Sequence, residues 1–291
     1  MRKMTVKTPL DARLREAYVS LPDAERRLAD VALKRGFELQ GFSATEMALQ
    51  AGVSKATAAR FFRRLGYADF AEFRQALRTQ GEQYSPFARF GETGAQANEP
   101  GHPLRAHLAA DARRLAQWAQ TVDSAPAEKA VHLLAAARKI WVVGFRHSYV
   151  TAFYAQSLLA QVRPDVLGLN DPAGREADWL AAASPQDVLL AVDFRRRSQR
   201  LPALLAGAAA VPLPLLLITD CPASRLDAQA AQVLRCDGLA QTDLFDSYAG
   251  AVSLINYLAT AVARQRGARA QEQLQRIEQI HVALDDLAPI P

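Results

Sequence analysis

The chain has 291 residues, half of them apolar and 22% charged, enough for two domains with sizeable cores and unlike a disordered or low-complexity protein. Two cysteines, Cys221 and Cys236, make neither a disulfide framework nor a zinc site, and the five histidines show no ligand spacing, so no metal or cofactor is expected. The formal net charge of +5 is unevenly placed: of 35 Lys and Arg and 30 Asp and Glu, residues 1–80 hold 15 and 9, so the basic excess belongs to that part, as expected if it meets nucleic acid.

The first region reads as all-helical. Leu10–Ser20 is a short amphipathic start, and Leu21-Pro22-Asp23 begins a helix through Lys34. Two short helices follow within ATEMALQAGVSKATAARFFRRL, residues 44–65. Ser43 with Glu46 has the spacing of a capping box, and Gly52 falls at a tight turn where a positive φ is cheap only for glycine. Ser54 caps the second helix, whose Ala58, Phe61, Phe62 and Leu65 face inward. Ser54, Lys55, Thr57, Arg60, Arg63 and Arg64 are left outside, the layout of a helix-turn-helix that reads double-stranded DNA with its second helix. A plain helical hairpin with a solvated basic face is the competing reading. Asp69 caps a last helix carrying Phe70, Phe73 and Leu77.

Residues 80–103 are rich in Gly and Pro, lack periodicity and read as a linker between a domain at 1–79 and another at 104–291. Helices are expected over Leu104–Val122 and from Asp123 to Arg138. Strands and helices then alternate. Strands are expected at Lys139–Gly144, Asp165–Leu169, Asp187–Asp193, Leu213–Thr219 and Gln232–Cys236. Helices are expected at Ser148–Val162, ending at Trp179–Ala183, around Pro202–Ala210 and at Ser224–Ala230. That order implies a five-stranded parallel sheet flanked by helices, an α/β domain, closed by long helices at Asp243–Arg266 and Ala268–Leu287. The apolar stretch Tyr248–Val262 suits a subunit contact or packing on the sheet. The start MRKMTVKTPLDARL has no apolar core or cleavage site, and the longest apolar run, around 211–218, is short and holds two prolines. The expected compartment is the cytoplasm, with no membrane partner.

In an open parallel sheet, ligands collect where strand C-termini meet helix N-termini. Three loops qualify. Gly144-Phe145-Arg146-His147-Ser148 follows the first strand, with Gly144 leaving room for close approach and Ser148 near a helix start. Asp193-Phe194-Arg195-Arg196-Arg197-Ser198-Gln199-Arg200 follows the third, and so many guanidinium groups need carboxylate or phosphate partners. Thr219 and Ser224 bracket the loop after the fourth and supply hydroxyls.

Through LPDAERRLADVAL, VSKATAARFFRRLGY, KIWVVGFRHS and LLLITDCPASRLDAQAAQVL, nearly the whole chain resembles the RpiR family of bacterial transcriptional regulators. The resemblance implies an N-terminal helix-turn-helix and a C-terminal sugar isomerase (SIS) domain that senses a small molecule, often a phosphosugar, and sets operator binding. Where such domains place a Ser-x-Ser-Gly-x-Thr-like phosphate loop, this chain reads AVDFRRRSQRL and keeps only Ser198, and Arg146 stands where a second glycine is common. The expected effector is therefore a small anion, a phosphosugar or carboxylate, gripped by Arg146, Arg195, Arg196 or Arg197. A two-fold operator calls for a homodimer or homotetramer. An isomerase using His147, Asp193 or Glu176 as base is the alternative, and no catalytic pair stands out for it.

Overall fold

The computed structural model describes residues 14, 17, 18, 20–35, 39, 42–83, 103–195, 197–220, 226–236 and 245–286. The chain divides into two compact units, one holding the helices up to Gln83 and the other the elements from Pro103 onward.

In the first unit α1 spans Asp23–Arg35, α2 Ala44–Gln50, α3 Lys55–Arg64 and α4 Phe70–Gln83. Apolar residues at helical spacing close one core: Leu28, Ala29 and Ala32 from α1, Met47 and Ala48 from α2, Ala58, Phe61 and Phe62 from α3, Phe70, Phe73 and Leu77 from α4. Phe62 sits at its centre, with the rings of Phe61, Phe70 and Phe73 at 5.6, 5.3 and 5.2 Å. α4 continues through Gly81 to Gln83, past the expected start of the linker. The rest of that linker, residues 84–102, lies outside the described residues.

The second unit opens with α5 (Pro103–Thr121) and α6 (Ala125–Ala136). Then come β1 (Ile140–Gly144), α7 (His147–Val162), β2 (Val166–Gly168), α8 (Glu176–Ala181), β3 (Val188–Asp193) and α9 (Arg200–Gly207). β4 (Leu215–Thr219), β5 (Ala230–Arg235), α10 (Ala249–Arg266) and α11 (Ala268–Leu284) follow. The five strands lie in the order β2-β1-β3-β4-β5, all parallel. β1, β3 and β4 are buried along their whole length, which is why they read as unbroken apolar runs. Their alternate residues feed two cores. Ile140, Val142, Leu190, Val192, Leu216 and Ile218 meet α6, α7 and α10 on one face. Trp141, Val143, Leu189, Ala191, Leu215 and Leu217 meet Leu180 of α8 and Leu201 and Leu205 of α9 on the other.

Several boundaries differ from the sequence reading. The last long helices begin at Ala249 rather than Asp243 and end at Leu284 rather than Leu287. Of the helix expected at Ser224–Ala230, the described part is a 3-10 turn at Asp227–Gln229, and β5 starts at Ala230 with a register shift opposite Leu215 and Leu216. α10 spends its apolar face at home: Leu254, Ile255, Leu258, Ala259 and Val262 are buried in the sheet's own core. Among the described residues no helix is long and apolar enough to cross a membrane.

At the N-terminal end of the sheet, Asp187 is fully buried and accepts hydrogen bonds from Arg138 (2.8 Å), Trp141 Nε1 (3.1 Å) and the Ser184 backbone (3.1 Å). Burial pushes its carboxyl up, and those donors together outweigh burial and hold it below the ordinary carboxylate range. This end is locked structure; the opposite end carries the loops of interest.

Candidate nucleic-acid interface and ligand site

The turn between α2 and α3 is built by short-range chemistry. Ser43 Oγ accepts from the Glu46 N–H at 3.2 Å while the Glu46 carboxylate accepts from the Ser43 N–H at 2.6 Å, closing the capping box. The backbone bond to Ser43, with the hydroxyl contact behind it, holds the Glu46 carboxyl below its ordinary range. Gly52 sits at φ +61°, with α2 ending behind it and α3 starting three residues on. Ser54 caps α3 by accepting from the Thr57 N–H at 3.1 Å. Its hydroxyl also lies 2.9 Å from Thr57 Oγ1, which accepts from Arg60 Nη2 at 3.3 Å. Ser54, Thr57 and Arg60 thus form one chain of hydrogen bonds along the outer face, beside exposed Lys55 and Arg63. Arg64 is differently placed. Its Nε stands 2.8 Å from Glu25 Oε2 of α1, a carboxylate only 5% exposed.

At the C-terminal edge of the sheet, β1 ends in Gly144. A Cβ there would lie 2.7 Å from the Ser148 carbonyl carbon and 2.9 Å from Ala152 Cβ, so the glycine is required by the close seating of α7. Its N–H and carbonyl are both clamped by the Asn170 carboxamide, at 3.1 and 2.8 Å. Arg146 next to it takes φ 59° and ψ −129°, backbone that favours glycine, so the turn keeps the glycine shape with an arginine in it. Its side chain is exposed, and it has no ion-pair partner among the described residues. Ser148 is buried and accepts from the Phe194 N–H at 3.0 Å, tying the first loop to the third.

The arginine loop finds carboxylates within its own chain. Arg195 Nε is 3.0 Å from Asp220 Oδ2 and its Nη1 3.9 Å from Asp246. Arg197 pairs with Asp220 and, at 3.3 Å, with Asp193. Arg200 bonds buried Glu176 at 3.0 Å and lies over the Phe145 ring at 4.6 Å, so neither Glu176 nor Asp193 stands as an unengaged base. Ser198 accepts from the Arg200 N–H at 3.2 Å, and buried Thr219 donates to the Asp193 carbonyl at 2.9 Å, joining β4 to β3. Tyr248 packs edge-on against Phe194, and its phenol is pushed up to about 12 by burial and the Asp246 and Asp220 charges. Arg196 and Ser224 lie outside the described residues. A cavity of about 170 Å³ opens between α7 and β1–β2, lined by Val142, Tyr149, Ala152, Phe153, Gln156, Gly168 and Asn170, all uncharged.

Sequence reasoning missed Glu25, Asp220, Asp246 and Asn170 as partners. Only Asn170, a carboxamide two residues past the end of β2, carries a local signal of its role.

A capped, basic helix-turn-helix on one unit and an open parallel sheet flanked by helices on the other are the build of a DNA-binding transcriptional regulator. The helix-turn-helix domain of the rpiR family matches residues 8–83, and the SIS domain matches residues 133–263. An HTH-type transcriptional regulator of Thermotoga maritima is 25% identical over 268 residues, 91% of this chain and 95% of that one. The HTH-type transcriptional regulator HexR of Escherichia coli is 24% identical over 264 residues, 89% of each. Among solved structures, Vibrio vulnificus NanR complexed with ManNAc-6P is 18% identical with a TM-score of 0.58, covering 96% of this chain and 100% of that chain. The sugar isomerase domain of an RpiR transcription factor from Sphaerobacter thermophilus is 24% identical with a TM-score of 0.55, covering 61% of this chain and 98% of that one. These two likenesses concern the fold. The chain belongs to the RpiR family of transcriptional regulators, with an N-terminal helix-turn-helix and a C-terminal SIS domain.

Proposed function

We propose that this regulator reads its operator with Ser54, Lys55, Thr57, Arg60 and Arg63 and releases or tightens it when the SIS domain binds a small anionic metabolite. The observation that carries the first half is the bonded Ser54–Thr57–Arg60 row on the exposed start of α3. Side chains held in one rotamer lose less freedom on meeting base edges, and arginine suits guanine. Arg60→Ala is expected to weaken operator binding by about 1–3 kcal/mol while leaving random duplex nearly unaffected. The operator would first be selected from a pool of random duplexes with the full chain. An equal fall on both DNAs makes Arg60 a phosphate contact instead.

For the effector, Arg146, which has no ion-pair partner among the described residues, and the start of α7 offer the place for an anion at the sheet edge. Arg195 and Arg197 join only by exchanging the Asp220 carboxylate for the ligand's. The uncharged cavity one turn along α7, walled by Tyr149, Phe153 and Gln156, suits the ligand's neutral body. A phosphosugar meets both requirements, in line with the ManNAc-6P held by NanR; a small hydroxy-carboxylate is the other member of the class. The protein works in the cytoplasm as a homodimer or larger even assembly, since one helix reads only a half-site. No catalytic step is assigned to it. In a thermal-shift screen, phosphorylated sugars or carboxylates are expected to raise the melting temperature, and Arg146→Gln to abolish the rise. An equal response to the uncharged parent sugar would overturn the anion reading.

A further inference from the structure

The first turn of α1 grips both helices of the reading motif through side chains of opposite sign. Arg27 Nε donates to the Ala51 carbonyl at 3.1 Å, the C-cap of α2. Glu25 faces the last turn of α3, where Arg64 Nε approaches its Oε2 to 2.8 Å. Glu25 is 4% exposed, and a carboxylate that deep needs a cation. Position in the first turn of α1 favours its charge further, because the helix N-terminus is the positive end. The Arg64 side chain, in contrast, is 48% exposed, so it is held at the surface and not sealed in.

We infer that Glu25 is a positioning residue for DNA binding: it keeps the Arg64 guanidinium off the phosphate backbone and so sets the chain's affinity for DNA of any sequence. Each phosphate neutralised by a free Lys or Arg releases counter-ions and adds about 0.9 to the slope of log K against log salt, with no regard to sequence. A guanidinium already matched by a carboxylate releases none. With Arg64 withdrawn, Lys55, Arg60 and Arg63 are the cations α3 presents, and two of them lie beside the hydroxyl row that carries sequence information. The inference rests on α3 being the reading helix, and loss of all DNA binding on joint removal of Lys55 and Arg60 tests that point separately.

The experiment measures the full chain on a mixed-sequence duplex of about 30 base pairs, by fluorescence anisotropy over a range of KCl. Glu25→Gln is expected to steepen the salt slope by about 0.9 and to tighten binding several-fold at low salt. Arg64→Gln alone should leave the slope parallel to wild type, and the double variant should return to it. A role confined to packing would lower stability and leave these slopes alone. Arg64→Gln flattening the slope by about 0.9 would show that Arg64 already holds a phosphate, and the proposal fails. It fails equally if folded Glu25→Gln keeps the wild-type slope. Should Glu25→Gln not fold, Glu25→Met, which removes the charge at similar volume, takes its place: a slope steeper by about 0.9 supports the inference, and the wild-type slope overturns it.

Discussion

Replacing Arg163 by alanine is expected to lower the stability of the SIS unit by about 4 kcal/mol. Arg163 is 2% exposed at the end of α7, and its guanidinium serves the frayed end of another helix. It donates to the Leu134 carbonyl, to Ala137 at 2.7 Å and to Arg138 at 3.0 Å, while its Nε reaches Pro164 at 3.2 Å. α6 ends at Ala136, so Leu134 lies in its last turn and Ala137 and Arg138 just past it, where carbonyls have no intrahelical donors. The C-terminal end of a helix is also its negative end, which favours the cation. Burial and the nearby Arg266 charge pull the Arg163 pKa down against the opposing charge of Asp165, and its hydrogen bonds go to carbonyls. Alanine strips the bonds, leaves a void and strands buried acceptors, each worth about 1–3 kcal/mol. Lysine should recover part of the loss at most, because a single ammonium cannot span three carbonyls. The measurement is unfolding by urea followed by tryptophan fluorescence. Trp118, Trp141 and Trp179 are the chain's three tryptophans and all fall after Pro103, so the signal reports this unit alone. A loss under about 1 kcal/mol would mean that water replaces the guanidinium at no great cost.

What was legible in the sequence follows the range of the interactions involved. The capping box at Ser43 and Glu46, the Ser54 cap and the turn at Gly52 are all settled within four residues, and they stand in the structure as the spacing requires. The buried strands were equally plain, since an apolar run such as Val188–Val192 fits only an element covered on both faces. Elements decided by competition were read less well. Ala228–Val233 is rich in alanine, a good helix former, and yet the backbone groups of Leu215–Thr219 draw Ala230–Arg235 into the sheet edge. Pro212 and Pro214 hold back the start of β4, which begins at Leu215, two residues after the expected start at Leu213.

The candidate site was legible by place and not by partner. Parallel topology puts Arg146, Arg195 and Arg197 at one edge, as expected of strand-end loops. That Asp220 and Asp246 already face the arginines depends on contacts 23 residues or more along the chain, which no local pattern announces. Glu25 and Arg64 are the same case in the helical unit, joined across the core and far apart in sequence. An arginine run therefore signals a need for anions, and only the fold tells whose anions they are.

Gly144→Ala is the second change with a large expected effect, about 3 kcal/mol or more from the SIS unit, and it should also silence the response to anions. The added methyl group meets the Ser148 carbonyl and, at 2.9 Å, Ala152 Cβ. Backbone on one side and a close-packed core on the other leave it no rotamer to escape through. α7 must back away from β1, and Ser148 moves with it. Its hydroxyl then loses the Phe194 N–H, the bond by which the first loop steadies the loop of Arg195 and Arg197. The Asn170 clamp on both polar groups of Gly144 prevents the strand end from yielding instead. The helical unit carries its own core around Phe62, so DNA binding in the absence of effector should persist. Tryptophan-detected urea unfolding gives the first quantity, and anisotropy on the selected operator with and without anion gives the second. Wild-type stability together with a full anion response would show that α7 is not seated against Gly144 in solution, and the ligand site would have to be built without Ser148.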